Sequence, residues 1–211
     1  MVLLNKDSKI LIAGYKGMVG SAITRILKKN LYFNLKLVGR DEIDLLDQKD
    51  VFDLIRREKP DFMIIAAARV GGINANNNFR AQFLYENITI SGNLIHAAHL
   101  SDVQNLIYLG SSCIYPKDSK QPIKEEYLLT GPLELTNEPY AIAKITALKL
   151  CETYNFQYSR NYNTVMPTNL YGPNDNYDLE TSHVFPALIK KILIAKKRKK
   201  NLLIYEELVS H

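Results

Sequence analysis

The chain has 211 residues, 46% of them hydrophobic and 23% charged, with a formal net charge of +5. That balance fits one large globular domain, or one and a half small ones, and excludes a disordered or fibrous chain. No apolar run approaches the ~18–20 residues of a membrane span, and two cysteines, Cys113 and Cys151, make no disulfide framework.

The start of the chain, MVLLNKDSKILIAG, has no charged region ahead of an apolar one and no small-residue cleavage site. A reduced, cytoplasmic protein is expected, with Cys151 a core thiol. The positive charge is local. KKILIAKKRKK, residues 190–200, holds seven cations and no anions, and removing it turns +5 into −2. Without interleaved aromatics this run predicts no nucleic-acid partner, and no membrane partner is expected.

In chain order, short apolar runs alternate with longer amphipathic ones. Lys9–Ala13 (KILIA) predicts a strand and is followed by a glycine loop. MVGSAITRILKK then predicts a helix with Val19, Ile23, Ile26 and Leu27 on one face. LKLVG predicts a second strand, and DLLDQKDVFDLIRREKP a short extended piece running into a helix that Pro60 ends. FMIIAAA reads as a buried strand, FRAQFLYENITISGNLIHAAHLS as a long helix carrying His96 and His99, and NLIYLG as another strand. NEPYAIAKITALKLCETYNFQYS predicts a helix with Asn137 as N-cap and Pro139 in its first turn, followed by the strand NTVMP. This order predicts an α/β fold, a doubly wound parallel sheet of Rossmann type. The expected organisation is a nucleotide-binding domain over residues 1–170 and the start of a substrate-binding domain over 171–211.

AGYKGMVG places Gly14, Gly17 and Gly20 between the first strand and the first helix. Gly14 suits the tight turn, Gly17 lets a pyrophosphate approach the backbone, and Gly20 allows close helix packing. The helix N-terminus offers unpaired N–H groups and partial positive charge to phosphates. Tyr15, Lys16, Met18 and Val19 fill the loop between the glycines and join the cofactor-binding set. The second strand ends in VGRDE. Arg40 and Lys16 would suit a 2′-phosphate and hence NADP(H); in the competing reading Asp41 binds a ribose hydroxyl and the cofactor is NAD.

Tyr140 and Lys144, four residues apart in PYAIAK, lie on one helical face. A lysine about 4 Å from a phenol would lower the phenol's proton affinity toward neutrality. A serine in LGSSCIYPK would orient the same substrate oxygen. No cluster has metal-ligand spacing, so no metal is expected.

In this order the glycine loop, the serine strand end and the Tyr-x-x-x-Lys pair resemble the extended short-chain dehydrogenase/reductase family. AAARVGGINANN, LGSSCIYPK, TNEPYAIAKI, VMPTNLYGPNDN and SHVFPALI resemble, within it, the GDP-L-fucose synthases, from about Lys9 to Leu193. The resemblance implies an NADPH-dependent 3,5-epimerase and 4-reductase acting on a GDP-sugar, GDP-4-dehydro-6-deoxy-D-mannose. It assigns acid/base roles to Cys113 and His183 and O4 orientation to Ser111. Tyr140 becomes the proton donor, and Lys144 holds both the phenol and the nicotinamide ribose. It lines the nicotinamide side with Leu109, Gly110, Ser111 and Ser112, with Pro167, Thr168, Asn169 and Leu170, and with His183. Asp44 and Leu45 border the adenine. Asn76, Asn169 and Lys191 face the GDP-sugar. A homodimer is implied. Members of this family continue past the end of this chain. NLLIY, Asn201–Tyr205, resembles the strand that opens the next part of their substrate domain, so an incomplete substrate domain is expected. The alternative is a non-catalytic NADP-binding fragment or decayed paralogue.

Overall fold

A computed structural model describes residues 4–179 and 181–197. Five parallel strands form one sheet: β1 (Ile10–Ala13), β2 (Leu35–Val38), β3 (Phe62–Ile65), β4 (Asn105–Leu109) and β5 (Asn161–Val165), in the spatial order β2-β1-β3-β4-β5. Between them run α1 (Met18–Lys29), α2 (Gln48–Glu58), α3 (Ile73–Asn78), α4 (Arg80–Leu100) and α5 (Glu138–Tyr158), with α6 (Val184–Lys197) after β5. The chain leaves β1 toward one side of the sheet and returns to add β3 on the other. That reversal opens a crevice beyond the C-terminal ends of β1 and β3, where ligands of such sheets bind.

The inner strands β1 and β3 are apolar because both faces are covered, whereas the edge strand β5 is largely polar and exposed. Ile10, Leu11, Ile12 and Ala13 are all buried, as are Met63, Ile65, Leu106 and Tyr108. Leu94, Ile95, Ala97 and Ala98 of α4 and Val51 and Ile55 of α2 complete the core. α2 starts at Asp47, whose carboxylate accepts the Asp50 N–H at 3.0 Å, and stops at Lys59, which takes a left-handed conformation (φ 43°) just before Pro60.

The elements depart from expectation in four places. β3 ends at Ile65 rather than Ala68, and β5 begins at Asn161, two residues ahead of NTVMP. The short helix α3 occupies INANNN, whose polar composition gave no helical period. The packed side of α1 is Gly20 and Thr24, while Ile26 is 59% exposed, because the glycine brings the helix against the loop ahead of it. Asn137 holds the N-cap position of α5 but makes no capping bond, and its Oδ1 is buried without a partner among the described residues. Residues 198–200 of the basic run and the whole of NLLIY lie outside the described residues. Among those described, no helix is long and apolar enough to cross a membrane.

Because Leu94 is wholly buried and Ile26 is not, the two respond differently to truncation. Leu94→Ala should cost about 2–5 kcal/mol in urea unfolding, and Ile26→Ala should stay within about 0.5 kcal/mol of wild type.

Candidate active site

The loops that follow the strands converge on the crevice. Gly14 has φ +86°, and a Cβ there would come within 2.6 Å of the Ala67 backbone. A Cβ on Gly20 would collide with the Gly14 carbonyl oxygen, whereas at Gly17 the nearest atom is 3.5 Å away. Two glycines are thus locked by neighbouring backbone, and the third stays open at the N-cap of α1. No side chain caps that helix and its first turn holds no acid. Free N–H groups with an open approach fit the pyrophosphate of a dinucleotide.

Lys16 and Arg40 do not stand as two free cations at the end of β2. Lys16 is ion-paired with Asp41 and lies 3.8 Å from Glu42, while Arg40 is exposed. The Tyr15 hydroxyl donates to Glu42 Oε1 at 3.0 Å, extending the network. A 2′-phosphate must therefore compete with Asp41 for Lys16. Asp44 is exposed and its Oδ1 accepts the Leu46 N–H at 2.9 Å. Leu45 turns its side chain into the core, and Asn93 Nδ2 donates to its carbonyl at 3.0 Å.

The second half of the site is built where β4 and β5 end. The Gly110 N–H donates to the Val165 carbonyl at 2.8 Å and the Ser112 N–H to the Pro167 carbonyl at 3.2 Å. These bonds bring Leu109–Ser112 beside the segment that begins at Pro167. Thr168, Asn169 and Leu170 are exposed there. Ser111 caps a single 3-10 turn, Ser112–Ile114, and its Oγ accepts the Cys113 N–H at 3.4 Å. α5 crosses above, and Lys144 donates to the Leu109 carbonyl at 2.7 Å. Its Nζ lies 5.5 Å from the centroid of the Tyr140 ring, which packs edge-on against Phe83 of α4 at 6.2 Å. Ser111, Cys113, Tyr140 and Lys144 are thereby gathered at one strand end.

The electrostatics differ from the sequence expectation in one respect. Burial pushes the Tyr140 phenol well above its ordinary range, and charge on Cys113 would push it further. The phenol is not brought toward neutrality, because desolvation outweighs a lysine already bonded to Leu109. Burial also pushes the Cys113 thiol up, against the opposing pulls of Ser111 and Lys144. The Lys144 ammonium is lowered by burial to about 8.

The remaining predicted residues sit on the loop after β3, on α3 and on α6. The Gly72 N–H donates to the Thr181 carbonyl at 2.9 Å, which sets the loop after β3 against the segment leading to His183. His183 is exposed at the start of α6, and Lys191 is half-buried on the same helix. Asn76 is buried, and its Nδ2 donates to the carbonyls of Gly71 at 2.8 Å and Gly72 at 3.1 Å. It braces this loop rather than presenting its amide nitrogen to a ligand. His96 and His99 join an aromatic group with Tyr154 and Tyr158 near the C-terminal ends of α4 and α5, away from these strand ends. No group of three or more His, Cys, Asp or Glu among the described residues could hold a metal. Sequence reasoning missed Phe83 and Tyr108, which flank Tyr140 and Lys144. Their only signal was periodicity, which marks core residues of every kind.

The sequence profile described as "NAD dependent epimerase/dehydratase family" matches residues 10–208. The chain belongs to that family. It is similar to the GDP-L-fucose synthase of Escherichia coli (strain K12), with 56% identity over 183 residues, 87% of this chain and 57% of that protein. Its structure resembles MlghC, a GDP-mannoheptose C4 reductase from Campylobacter jejuni with NADP bound. Here identity is 40% and the TM-score 0.85, over 92% of this chain and 60% of that one. It also resembles a GDP-L-fucose synthetase from Naegleria fowleri bound to NADP, at 31% identity and a TM-score of 0.85, over 97% of this chain and 67% of that one. The epimerase/dehydratase chain described here thus spans 57% of the length of its Escherichia coli relative.

A lysine lowered from its ordinary 10.5 to about 8 makes folding depend on pH. Between those values the unfolded chain binds the extra proton, so this group's contribution to stability rises with pH; below about 8 the fold must bury a charge. The difference corresponds to on the order of 3 kcal/mol. Lys144→Met should therefore unfold at higher urea than wild type at pH 7, with the advantage shrinking toward pH 10.

Proposed function

We propose that this chain carries the cofactor site and the acid/base groups of an NADPH-dependent enzyme converting GDP-4-dehydro-6-deoxy-D-mannose to GDP-L-fucose. The reaction is 3,5-epimerisation followed by reduction of the 4-keto group. The observation that carries the reading is the gathering of Ser111, Cys113, Tyr140 and a buried Lys144 around the end of β4, one crevice away from an open phosphate loop. The kinship with a GDP-L-fucose synthase supports the choice of substrate.

The glycine loop, with Tyr15, Met18 and Val19, would hold the pyrophosphate. Asp44 and Leu45 would border the adenine. Lys16 and Arg40 would take the 2′-phosphate. Leu109–Ser112, Pro167–Leu170, His183 and Lys144 would lie on the nicotinamide side. When bound, NADPH supplies the hydride for C4.

The protein's own residues manage the protons. The C4 ketone of the substrate acidifies the hydrogens on C3 and C5, because the resulting carbanion delocalises onto O4. Inverting a centre needs a proton removed from one face and another returned to the opposite face. Cys113 and His183 are the two groups offered for this. Cys113 rests as the thiol, and Ser111 and Lys144 are the neighbours that favour its thiolate. Tyr140, whose phenol is protonated at any working pH, gives its proton to O4 as the carbonyl is reduced. Ser111 orients O4, and Lys144 steadies the phenol. Asn169 and Lys191 face the GDP-sugar, Lys191 toward a phosphate; Asn76 serves by fixing the loop that abuts His183.

In this reading residues 171–211 open a substrate-binding domain. The chain works in the cytoplasm, without nucleic-acid or membrane partners. It pairs as a homodimer through α4 and α5, whose outward side chains include Tyr85, 66% exposed, and Ile142, 40% exposed.

The test separates the two half-reactions. Cys113→Ser should abolish deuterium uptake from D2O at C3 and C5 by at least about 100-fold, with NADPH binding unchanged. Tyr140→Phe should slow reduction by a similar factor and leave deuterium uptake in place. Product formation at the wild-type rate by Cys113→Ser would remove Cys113 from the mechanism. Asp41→Asn, by freeing Lys16, should tighten NADPH about two- to five-fold without tightening NADH, read by fluorescence titration.

A further inference from the structure

Lys144 is 3% exposed, the only buried charged side chain among the described residues, and no carboxylate pairs with it there. One of its protons goes to the Leu109 carbonyl at 2.7 Å. A lone carbonyl is little compensation for a buried ammonium. Two aromatic rings are also set against it: Nζ lies 4.6 Å from the centroid of the Tyr108 ring and 5.5 Å from that of Tyr140. The titratable groups around it are Tyr108 from β4, Cys113 from the turn after β4 and Tyr140 from its own helix.

Tyr108 is itself held firmly. It is 1% exposed on β4, between β3 and β5. Enclosed on both sides by the sheet, the ring stays beside Lys144.

We propose that Tyr108 is a positioning residue for the reaction: the face of its buried ring keeps Lys144 cationic and in place beside Tyr140 and the cofactor site. The inference rests on the reading of Tyr140 and Lys144 as a working pair. An aromatic face attracts a cation most strongly where water is absent. Removing it should lower the pH at which Lys144 loses its proton by about one unit. Tyr108 does not touch substrate; it acts through Lys144.

The experiment follows Lys144 directly, through the 13Cε shift of labelled lysine between pH 5 and 11, and in parallel the pH profile of turnover. Tyr108→Phe keeps the ring and should titrate within about 0.3 units of wild type. Tyr108→Leu removes the ring, and Tyr108→pentafluorophenylalanine keeps its shape while reversing the charge of its face. Both should move the Lys144 titration down by about one unit, and the alkaline limb of the profile with it. The fluorinated ring carries the test even if the leucine variant does not fold. A Lys144 titration unmoved by the fluorinated ring overturns the proposal. So does a Tyr108→Phe shift as large as that of the fluorinated variant, since the hydroxyl rather than the face would then matter. The titration needs no turnover. An inactive wild type with the expected shifts faults the functional reading alone, and an active wild type without them faults this inference alone.

Discussion

A charged ammonium enclosed beneath a helix, bonded to one carbonyl and facing aromatic rings, is the constraint around which this molecule is arranged. Lys144 sits there only because α5 approaches the sheet closely. The helix does so on small residues one turn apart, Ala143 and Ala147, each 0–1% exposed. β4 must end so that the Leu109 carbonyl points at the ammonium. α4 must supply Phe83 to support Tyr140. A hydrophobic residue at 144 would suit the same cavity better. The fold retains a costly charge at the point where the proposed carbonyl chemistry would take place, as sites that trade stability for function do.

The phosphate loop imposes the second constraint, and it is steric rather than electrostatic. Gly14 and Gly20 are fixed by backbone that leaves no room for a Cβ, so α1 starts hard against β1 with its N–H groups directed outward. The two constraints meet because parallel strands all end on the same side. Carboxylates crowd the cofactor side of this crevice, where Asp41 and Glu42 surround Lys16. With Lys16 as the proposed 2′-phosphate ligand, cofactor preference would be set by how readily that phosphate displaces Asp41, and not by a count of cations.

The parallel sheet, its helices and the phosphate loop were legible in the sequence because each rests on local pattern. Apolar strands, glycines at a strand–helix junction and a helix with Tyr140 and Lys144 on one face follow from short-range rules. Strand ends were less legible: Ala66–Ala68 continues the apolar run of Phe62–Ile65 but lies beyond the last registered pairs, Ile65 with Ala13 and with Tyr108. The helix α3 was invisible, since an asparagine-rich segment has no apolar period to read; it is held by a tertiary bond at its start, from the Gly72 N–H to the Thr181 carbonyl, and by the local bonds of Asn76 to Gly71 and Gly72. The state of the site was hidden altogether. The Lys16–Asp41 pair, the raised Tyr140 phenol and the Tyr108 ring under Lys144 all depend on burial and distance between segments far apart in sequence. Ser111, Cys113 and Lys144 were found as a motif, but their electrostatics had to be seen in three dimensions.

The central claim is that these residues epimerise and then reduce a GDP-4-keto sugar. It is tested most directly by incubating the purified 211-residue chain in D2O with NADPH and GDP-4-dehydro-6-deoxy-D-mannose. NADPH loss and product deuteration are followed together. The account predicts one NADPH consumed per GDP-L-fucose formed, with solvent deuterium at both C3 and C5. Neither NADPH loss nor deuterium uptake, with a full-length GDP-L-fucose synthase active alongside, would contradict it.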